Sequence, residues 1–493
     1  MEYPLYINGE FAPVKNRQGI INPSDGGIIA DAAIADNEDL EAAISAARNA
    51  FDSGPWRNIS LAERKRFLLR IAQGILDQAG ELARLETLNT GKPIKESTFM
   101  DIPSSAQVFE YFARHLEEFL QPESRGVSGE AECKLLREPL GAAALIVPWN
   151  FPLLLASWKL AAALAAGNTV ILKPSSLTPL SVLELARIIK AAGLPKGVVN
   201  IINASGPRLG EALCADKRLD LISFTGSGEV GKQIIGYTCR NVKKLIMELG
   251  GKSAAIVLKD ADLEAAVNGL LCSIFLNQGQ MCTAMSRIFV DEAIYGKFTA
   301  DFAQKARRIK IGIGIDYETQ MGPLISQAQR SRVMAYVRRG IEEGAKLICG
   351  GRVPGDPGLK KGFFFELTAF ADVKSSQAIF RKEIFGPVAC IVSFSSLEEA
   401  VQEANNTDFG LAASLWTGDK KAAEDLAKKI DAGMVWVNTY GMFYPEAPFG
   451  GFKQSGFGKE LGREGFLEYT RLKSLVIDQA KDAKPLVNYW YGF

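Results

Sequence analysis

The chain has 493 residues, 47% apolar and 23% charged, with a net charge of +1. These totals describe an ordinary globular protein of roughly three domains, without the charge excess of a nucleic-acid or anionic-membrane binder. Seven cysteines without CxxC spacing, beside a single histidine (His115), argue against a disulfide framework, a metal site and any histidine-dependent nucleophile; they point to a reducing, cytoplasmic compartment.

The first residues, Met1 to Tyr6, lack a basic segment followed by an apolar run, so no secretory signal is expected. Residues before 120 read as mainly helical, notably 38–51 and 60–88. Residues 120–139 join neither block of the chain and read as an extended arm. Residues 139–158 carry no charge and meet the length of a membrane span. Pro139, Pro148, Pro152 and Asn150 interrupt them, so a buried strand, a turn and a helix start are expected instead.

From 142 to 258, β-rich runs alternate with helical ones. Strands are predicted at Ala143–Val147, Thr169–Leu172, Val198–Ile202, Leu221–Phe224 and Lys244–Glu248, with helices at Leu153–Ala166 and Leu180–Ala192. Such alternation implies an α/β fold with a parallel sheet covered on both faces. A second alternating block, about 254 to 450, includes Ala254–Leu258, Arg287–Val290, Ala389–Phe394 and Gly433–Val437, with a helix near 294–310. The segment after about 468 stands apart and is a partner for the arm.

Three motifs carry chemistry. Cys282, in Gln278-Gly279-Gln280-Met281-Cys282-Thr283-Ala284, lies 34 residues after Glu248 in Met247-Glu248-Leu249-Gly250-Gly251. A thiol is a soft nucleophile and a carboxylate a base for water. Gly226-Ser227-Gly228-Glu229-Val230-Gly231 satisfies GxGxxG between a strand and a helix, the context of a pyrophosphate site. The dinucleotide fingerprint places the acid about twenty residues on, here Glu248, on the adenosine ribose. A catalytic Glu248 accounts for more of the surrounding sequence.

Together with Tyr6-Ile7-Asn8-Gly9-Glu10, Pro148-Trp149-Asn150-Phe151-Pro152, Glu383-Ile384-Phe385-Gly386-Pro387 and Pro448-Phe449-Gly450-Gly451-Phe452-Lys453, these motifs resemble the aldehyde dehydrogenase superfamily across nearly the whole chain. The resemblance implies NAD(P)-dependent oxidation of an aldehyde to a carboxylic acid through a thiohemiacetal and a thioester on Cys282. Asn150 and the Cys282 backbone N–H are implied as oxyanion donors, Glu248 as the base for water, and Lys159 with Glu460 as a proton relay. For the cofactor it implies Trp149, Lys173, Ser176, Gly206, Gly226, Ser227, Leu249, Glu383 and Phe385. Many NAD-preferring members carry glutamate where this chain has Ser176; a serine removes that repulsion of a 2′-phosphate, so NADP acceptance is expected.

By family position the substrate tunnel comprises Phe151, Leu155, Trp158, Met281, Thr283, Phe443 and Phe449. That apolar wall favours medium aliphatic or aromatic aldehydes. Glu446 nearby is a candidate contact for a cationic substrate. The implied architecture is a Rossmann-like cofactor domain (1–119 and 140–249, with a return at 451–467) and an α/β catalytic domain (250–450). A β arm and tail (120–139 and 468–493) would build a homodimer or homotetramer. Two rivals are a CoA-acylating relative, which generally lacks the glutamate retained here as Glu248, and a non-catalytic paralogue that uses the fold as a scaffold.

Overall fold

The computed structural model describes residues 2–127, 131–204, 207–479 and 490–492. Five parallel strands form the centre of an eight-stranded sheet, in the order Lys244–Glu248, Leu221–Thr225, Ala142–Ile146, Thr169–Lys173 and Val199–Ile201. Side chains alternate across it as the pleat requires. Ala143, Leu145, Val170 and Leu172 face the helices Leu61–Asp77, Ile102–Phe119, Pro152–Ala166 and Leu180–Ala192. Ala144, Ile146 and Ile171 pack on the other face with Ile44 of helix Asn37–Asp52 and Ile234 of helix Gly228–Thr238. The uncharged stretch 139–158 is therefore a core strand, a loop and the start of a buried helix. Among the described residues no helix is long and apolar enough to cross a membrane.

The sequence order of the strands reverses between Ala142–Ile146 and Leu221–Thr225. In an open parallel sheet, ligands bind outside the carboxyl ends of strands at such a switch point. Trp149 and Asn150 follow the first of these strands, and Gly226 and Ser227 follow the second.

A second sheet has seven strands, ordered Lys346–Cys349, Thr368–Ala371, Val388–Phe394, Arg287–Asp291, Ala254–Val257, Ala412–Trp416 and Met434–Val437. All neighbours run parallel except the first pair. The chain then returns to the first sheet, where Gly456 and Phe457 pair antiparallel with Glu248 and Met247. A third sheet pairs Glu123–Gly126 with Ala131–Pro139 and the latter with Thr470–Asp478 over nine residues.

The segment before 120 is mainly helical, with Asn37–Asp52, Leu61–Asp77, Ala79–Thr90 and Ile102–Phe119, but it opens on strands: Glu2–Tyr3, Tyr6–Ile7, Glu10–Phe11, Asn16–Ile21 and Ile28–Ile34. Most of these strands are two residues long and pair locally, while Tyr6 also pairs with Ile201, far along the chain.

Candidate active site

A cleft of about 250 Å³ opens at the switch point, between the carboxyl ends of the first sheet and the loop after helix Leu263–Phe275. Its wall contains Cys282, Glu248, Asn150, Lys159 and Glu460, with Trp149, Gly226, Ser227, Leu249, Glu383 and Phe385 towards one end. All seven expected tunnel residues line it as well. Lys173 and Ser176 are not on this wall. They stand at the end of strand Thr169–Lys173, where the Gln18 side chain donates to the Ser176 carbonyl at 3.2 Å. Gly206 lies outside the described residues. Glu446 is exposed and off the cleft.

Cys282 sits three residues beyond a left-handed run: φ is +47° at Asn277, +57° at Gln278 and +70° at Gly279. Non-glycine residues seldom adopt this region, and two in succession need outside support. The run turns the chain sharply and points the cysteine into the cleft. Burial is the first cause that pushes the Cys282 thiol up to about 12, ahead of the charges of Glu248 and Glu383; its own backbone N–H and that of Thr283 act the other way. The resting thiol is therefore protonated at neutral pH.

Asn150 is 4% exposed. Its side-chain nitrogen donates to the Gln280 carbonyl at 2.8 Å, and its own carbonyl accepts from the Asn277 side chain at 2.9 Å. One amide hydrogen is thus anchored, and the amide has a second.

Glu248 ends the edge strand of the parallel array, and both of its carboxylate oxygens are buried without a hydrogen-bond partner. Burial holds it well above the ordinary carboxylate range; the charge of Glu460 raises it further, while Lys159 and Lys459 oppose the shift. A buried, unpaired acid in a cleft is a strong functional signal. Beside it, Lys159 Nζ pairs with Glu460 at 2.5 Å, the two side chains being 1% and 2% exposed. Lys159 also donates to Ser223 Oγ at 2.8 Å, which donates to Glu460 at 3.1 Å and accepts from Tyr469 at 3.2 Å.

At the other end, Ser227 caps helix Gly228–Thr238 by accepting from the Val230 N–H. A Cβ built on Gly228 would meet nothing within 4 Å, so open space stands before this helix start. Free amide hydrogens and a helix dipole facing such a space suit a pyrophosphate. Glu383 accepts from the Gly251 N–H at 3.0 Å, and Phe385, at φ +61°, meets Trp149 edge-on at 5.2 Å. The residues present fit a dinucleotide.

Some cleft residues were not singled out from sequence. Gln329 donates to the Phe385 carbonyl at 2.6 Å and Arg332 to the Glu383 carbonyl at 2.8 Å, both from helix Gln327–Glu342. Met100 reaches the wall from a wide helical turn at Ser97–Asp101. Tyr440, buried behind Cys282, shares a 3.0 Å hydrogen bond with Thr283. Gln329 and Arg332 lie in the polar run Ser326–Arg332 and Met100 is an apolar residue beside Phe99, so nothing local set them apart in the sequence.

The family model described as "Aldehyde dehydrogenase family" matches residues 12–475. The chain belongs to the aldehyde dehydrogenase family. It is similar to betaine aldehyde dehydrogenase of Bacillus subtilis, 44% identical over 494 aligned positions and 100% of both chains. It is 40% identical to human mitochondrial aldehyde dehydrogenase, over 96% of this chain and 91% of that one. Among solved structures, the NAD+ complex of aldehyde dehydrogenase from Bacillus cereus matches with a TM-score of 0.94 and 40% identity, covering 97% of each chain. The α/β architecture above is that of aldehyde dehydrogenases, and NAD binding is a property of the family.

Proposed function

We propose that this aldehyde dehydrogenase oxidises medium aliphatic or aromatic aldehydes to carboxylic acids through a thioester on Cys282. The observation that carries the reading is the meeting of Cys282, Asn150 and the unpaired Glu248 on one apolar-walled cleft. In this reading the Cys282 thiol gives its proton to solvent through the neighbouring Glu248 carboxylate, and the thiolate attacks the aldehyde carbon. The resulting oxyanion accepts from the Asn150 side chain and the Cys282 backbone N–H, donors fixed in place beforehand. Bound NAD(P) supplies the two-electron acceptor for the C–H bond that breaks. Glu248 then takes a proton from water, whose oxygen attacks the thioester carbon; the C–S bond breaks and the acid leaves. The Lys159–Glu460 pair lies in reach to pass that proton on.

The cofactor is held at the start of helix Gly228–Thr238, by Glu383, Leu249 and Phe385, and at Lys173 and Ser176. A serine at 176 brings no negative charge against a 2′-phosphate, so NADP is accepted beside NAD. The protein acts in the cytoplasm, in keeping with seven free cysteines. It assembles as a dimer or tetramer through the edge strand Thr470–Asp478, whose Leu472, Leu475 and Val476 are exposed.

A second reading is a cationic aldehyde. Trp158, Phe443 and Phe449 form a mutually packed aromatic cluster on the wall, with centroids 5.4 to 5.7 Å apart. Aromatic faces attract quaternary ammonium groups, and one relative is a betaine aldehyde dehydrogenase. The test is cofactor reduction with hexanal, benzaldehyde and betaine aldehyde, NAD and NADP being run separately, beside Cys282→Ala. Reduction by the parent alone, fastest with the two uncharged aldehydes, supports the reading. A preference for betaine aldehyde transfers it to the cationic class, and turnover that requires CoA refutes hydrolysis.

A further inference from the structure

Below the cleft, away from the Lys159–Glu460 pair, lies a cluster of buried charges that the proposed reaction does not use. Glu86, Lys92, Glu96 and Asp101 are each less than a tenth exposed. Lys92 Nζ pairs with Asp101 at 2.6 Å and stands 4.0 Å from the centre of the Phe151 ring. Three carboxyl groups therefore share one ammonium in a dry interior, where a lone charge is costly.

Two of those carboxyls touch the backbone that frames the cleft. Glu86 accepts from the Leu153 N–H at 3.2 Å, in the first turn of the helix that follows Asn150. Glu96 accepts from the Asn277 N–H with both oxygens, at 3.1 and 3.3 Å. Asn277 opens the left-handed run that leads to Cys282. Its side chain donates to the Asn150 carbonyl, and the Asn150 side chain donates in turn to the Gln280 carbonyl. An unbroken path of hydrogen bonds thus leads from Glu96 to the oxyanion donor and to the residue two before Cys282.

We propose that Glu96 is a positioning residue: by holding the Asn277 N–H it keeps the strained turn Asn277–Gly279 wound and sets the Asn150 amide in register with Cys282. The inference rests on the reading that Cys282 and Asn150 carry the reaction. Without an acceptor, the Asn277 N–H is a buried unpaired donor, and a left-handed residue has reason to relax. The groups facing Glu96 are Lys92, Asp101 and Cys272 of helix Leu263–Phe275. Burial pushes Glu96 up to about 8, so at pH 7 it is mainly a neutral carboxyl, which glutamine imitates in shape and in its carbonyl acceptor.

The test is a mutant cycle at pH 7 on the full-length enzyme: parent, Glu96→Ala, Glu96→Gln, Asn150→Ala and Asn150→Ala/Glu96→Ala. Glu96→Ala is expected to lower kcat by about 10- to 100-fold, somewhat less than outright loss of an oxyanion donor, with the dissociation constant for NAD unchanged within about threefold as a check that the cofactor site is intact. Glu96→Gln recovers most of that loss. With Asn150 already removed, Glu96→Ala costs no more than about threefold further, because residues acting as one unit are not additive. The same factor with and without Asn150, or no rescue by glutamine, overturns the proposal. If Glu96→Ala does not fold, Glu96→Asp takes its place in the cycle. If the parent turns over no aldehyde, the reaction assignment fails separately. The positioning role is then read from iodoacetamide labelling of Cys282, expected to change at least about threefold in Glu96→Ala and to recover in Glu96→Gln; an unchanged rate overturns it.

Discussion

Removing one member of the Lys159–Glu460 pair gives two predictions of opposite sign from one contact. The pair is 2.5 Å long and no more than 2% exposed. Breaking such a pair from one side costs about 3–5 kcal/mol, while exchanging both members for apolar side chains is near neutral or stabilising. Lys159→Met leaves Glu460 with the Ser223 hydroxyl as its donor, and one of its oxygens already has no partner. Either single variant should therefore lower the denaturant midpoint markedly. The double variant Lys159→Met/Glu460→Met should recover all but about 1 kcal/mol, the remnant being a Ser223 hydroxyl that keeps only Tyr469 as partner.

The catalytic sign follows from Glu248, whose carboxyl is raised first by burial and then by Glu460, and lowered by Lys159. A base with a raised pKa works only above it, so thioester hydrolysis should rise with pH along a limb set by Glu248. Glu460→Gln removes a repulsive charge and should move that limb down by about one pH unit; Lys159→Met removes an attractive one and should move it up by a similar amount. The assay is the decay of the acyl-enzyme after a single turnover, measured from pH 5 to 9. Shifts of the same sign in both variants, or none in either, would refute the electrostatic argument.

Three other outcomes can be checked directly. Since burial pushes the Cys282 thiol up to about 12, its alkylation in the cofactor-free protein should rise about tenfold per pH unit from 7 to 10; a plateau below pH 9 would contradict that. Ser176→Glu should cut the NADP-to-NAD ratio of kcat/KM by at least about tenfold, an unchanged ratio meaning that residue 176 does not meet the 2′-phosphate. Trp158, 4% exposed and packed on Phe443 and Phe449, should cost about 3–5 kcal/mol as alanine and shift preference towards bulkier aldehydes; unaltered selectivity would take it out of the substrate tunnel.

The parts of the fold that were legible in sequence are those whose physics is local. Helix Leu180–Ala192 has the limits expected from its apolar periodicity, and the central strands declare themselves as short runs apolar on both faces. The N-terminal strands are short, mostly two residues, and carry no such signature; Tyr6 is fixed in the sheet by Ile201, far along the chain. The site divides in the same way. Cys282, Glu248 and Asn150 stand in glycine- or proline-marked motifs, and the structure puts all three on one cleft. Glu96 touches Asn277 across 181 positions of sequence, and a glutamate in a polar stretch looks like surface until its surroundings are known. Lys173 and Ser176, expected at the adenosine ribose and not at the reacting carbon, end a different strand and lie off that wall.

The return of the chain at Gly456–Phe457 bears on the order of events in synthesis. Glu248 belongs to the first sheet, but its outer neighbour there is Gly456, and Glu460, whose charge raises its carboxyl, comes from the same late segment. The first lobe emerges from the ribosome with the edge of its sheet open beside Glu248, and Cys282 follows well before Gly456 and Glu460 are made. Only when almost the whole chain is out does the last segment close that edge. The surroundings of Glu248 are thus completed late, and a chain cut short before Gly456 carries both Glu248 and Cys282 beside an open sheet edge.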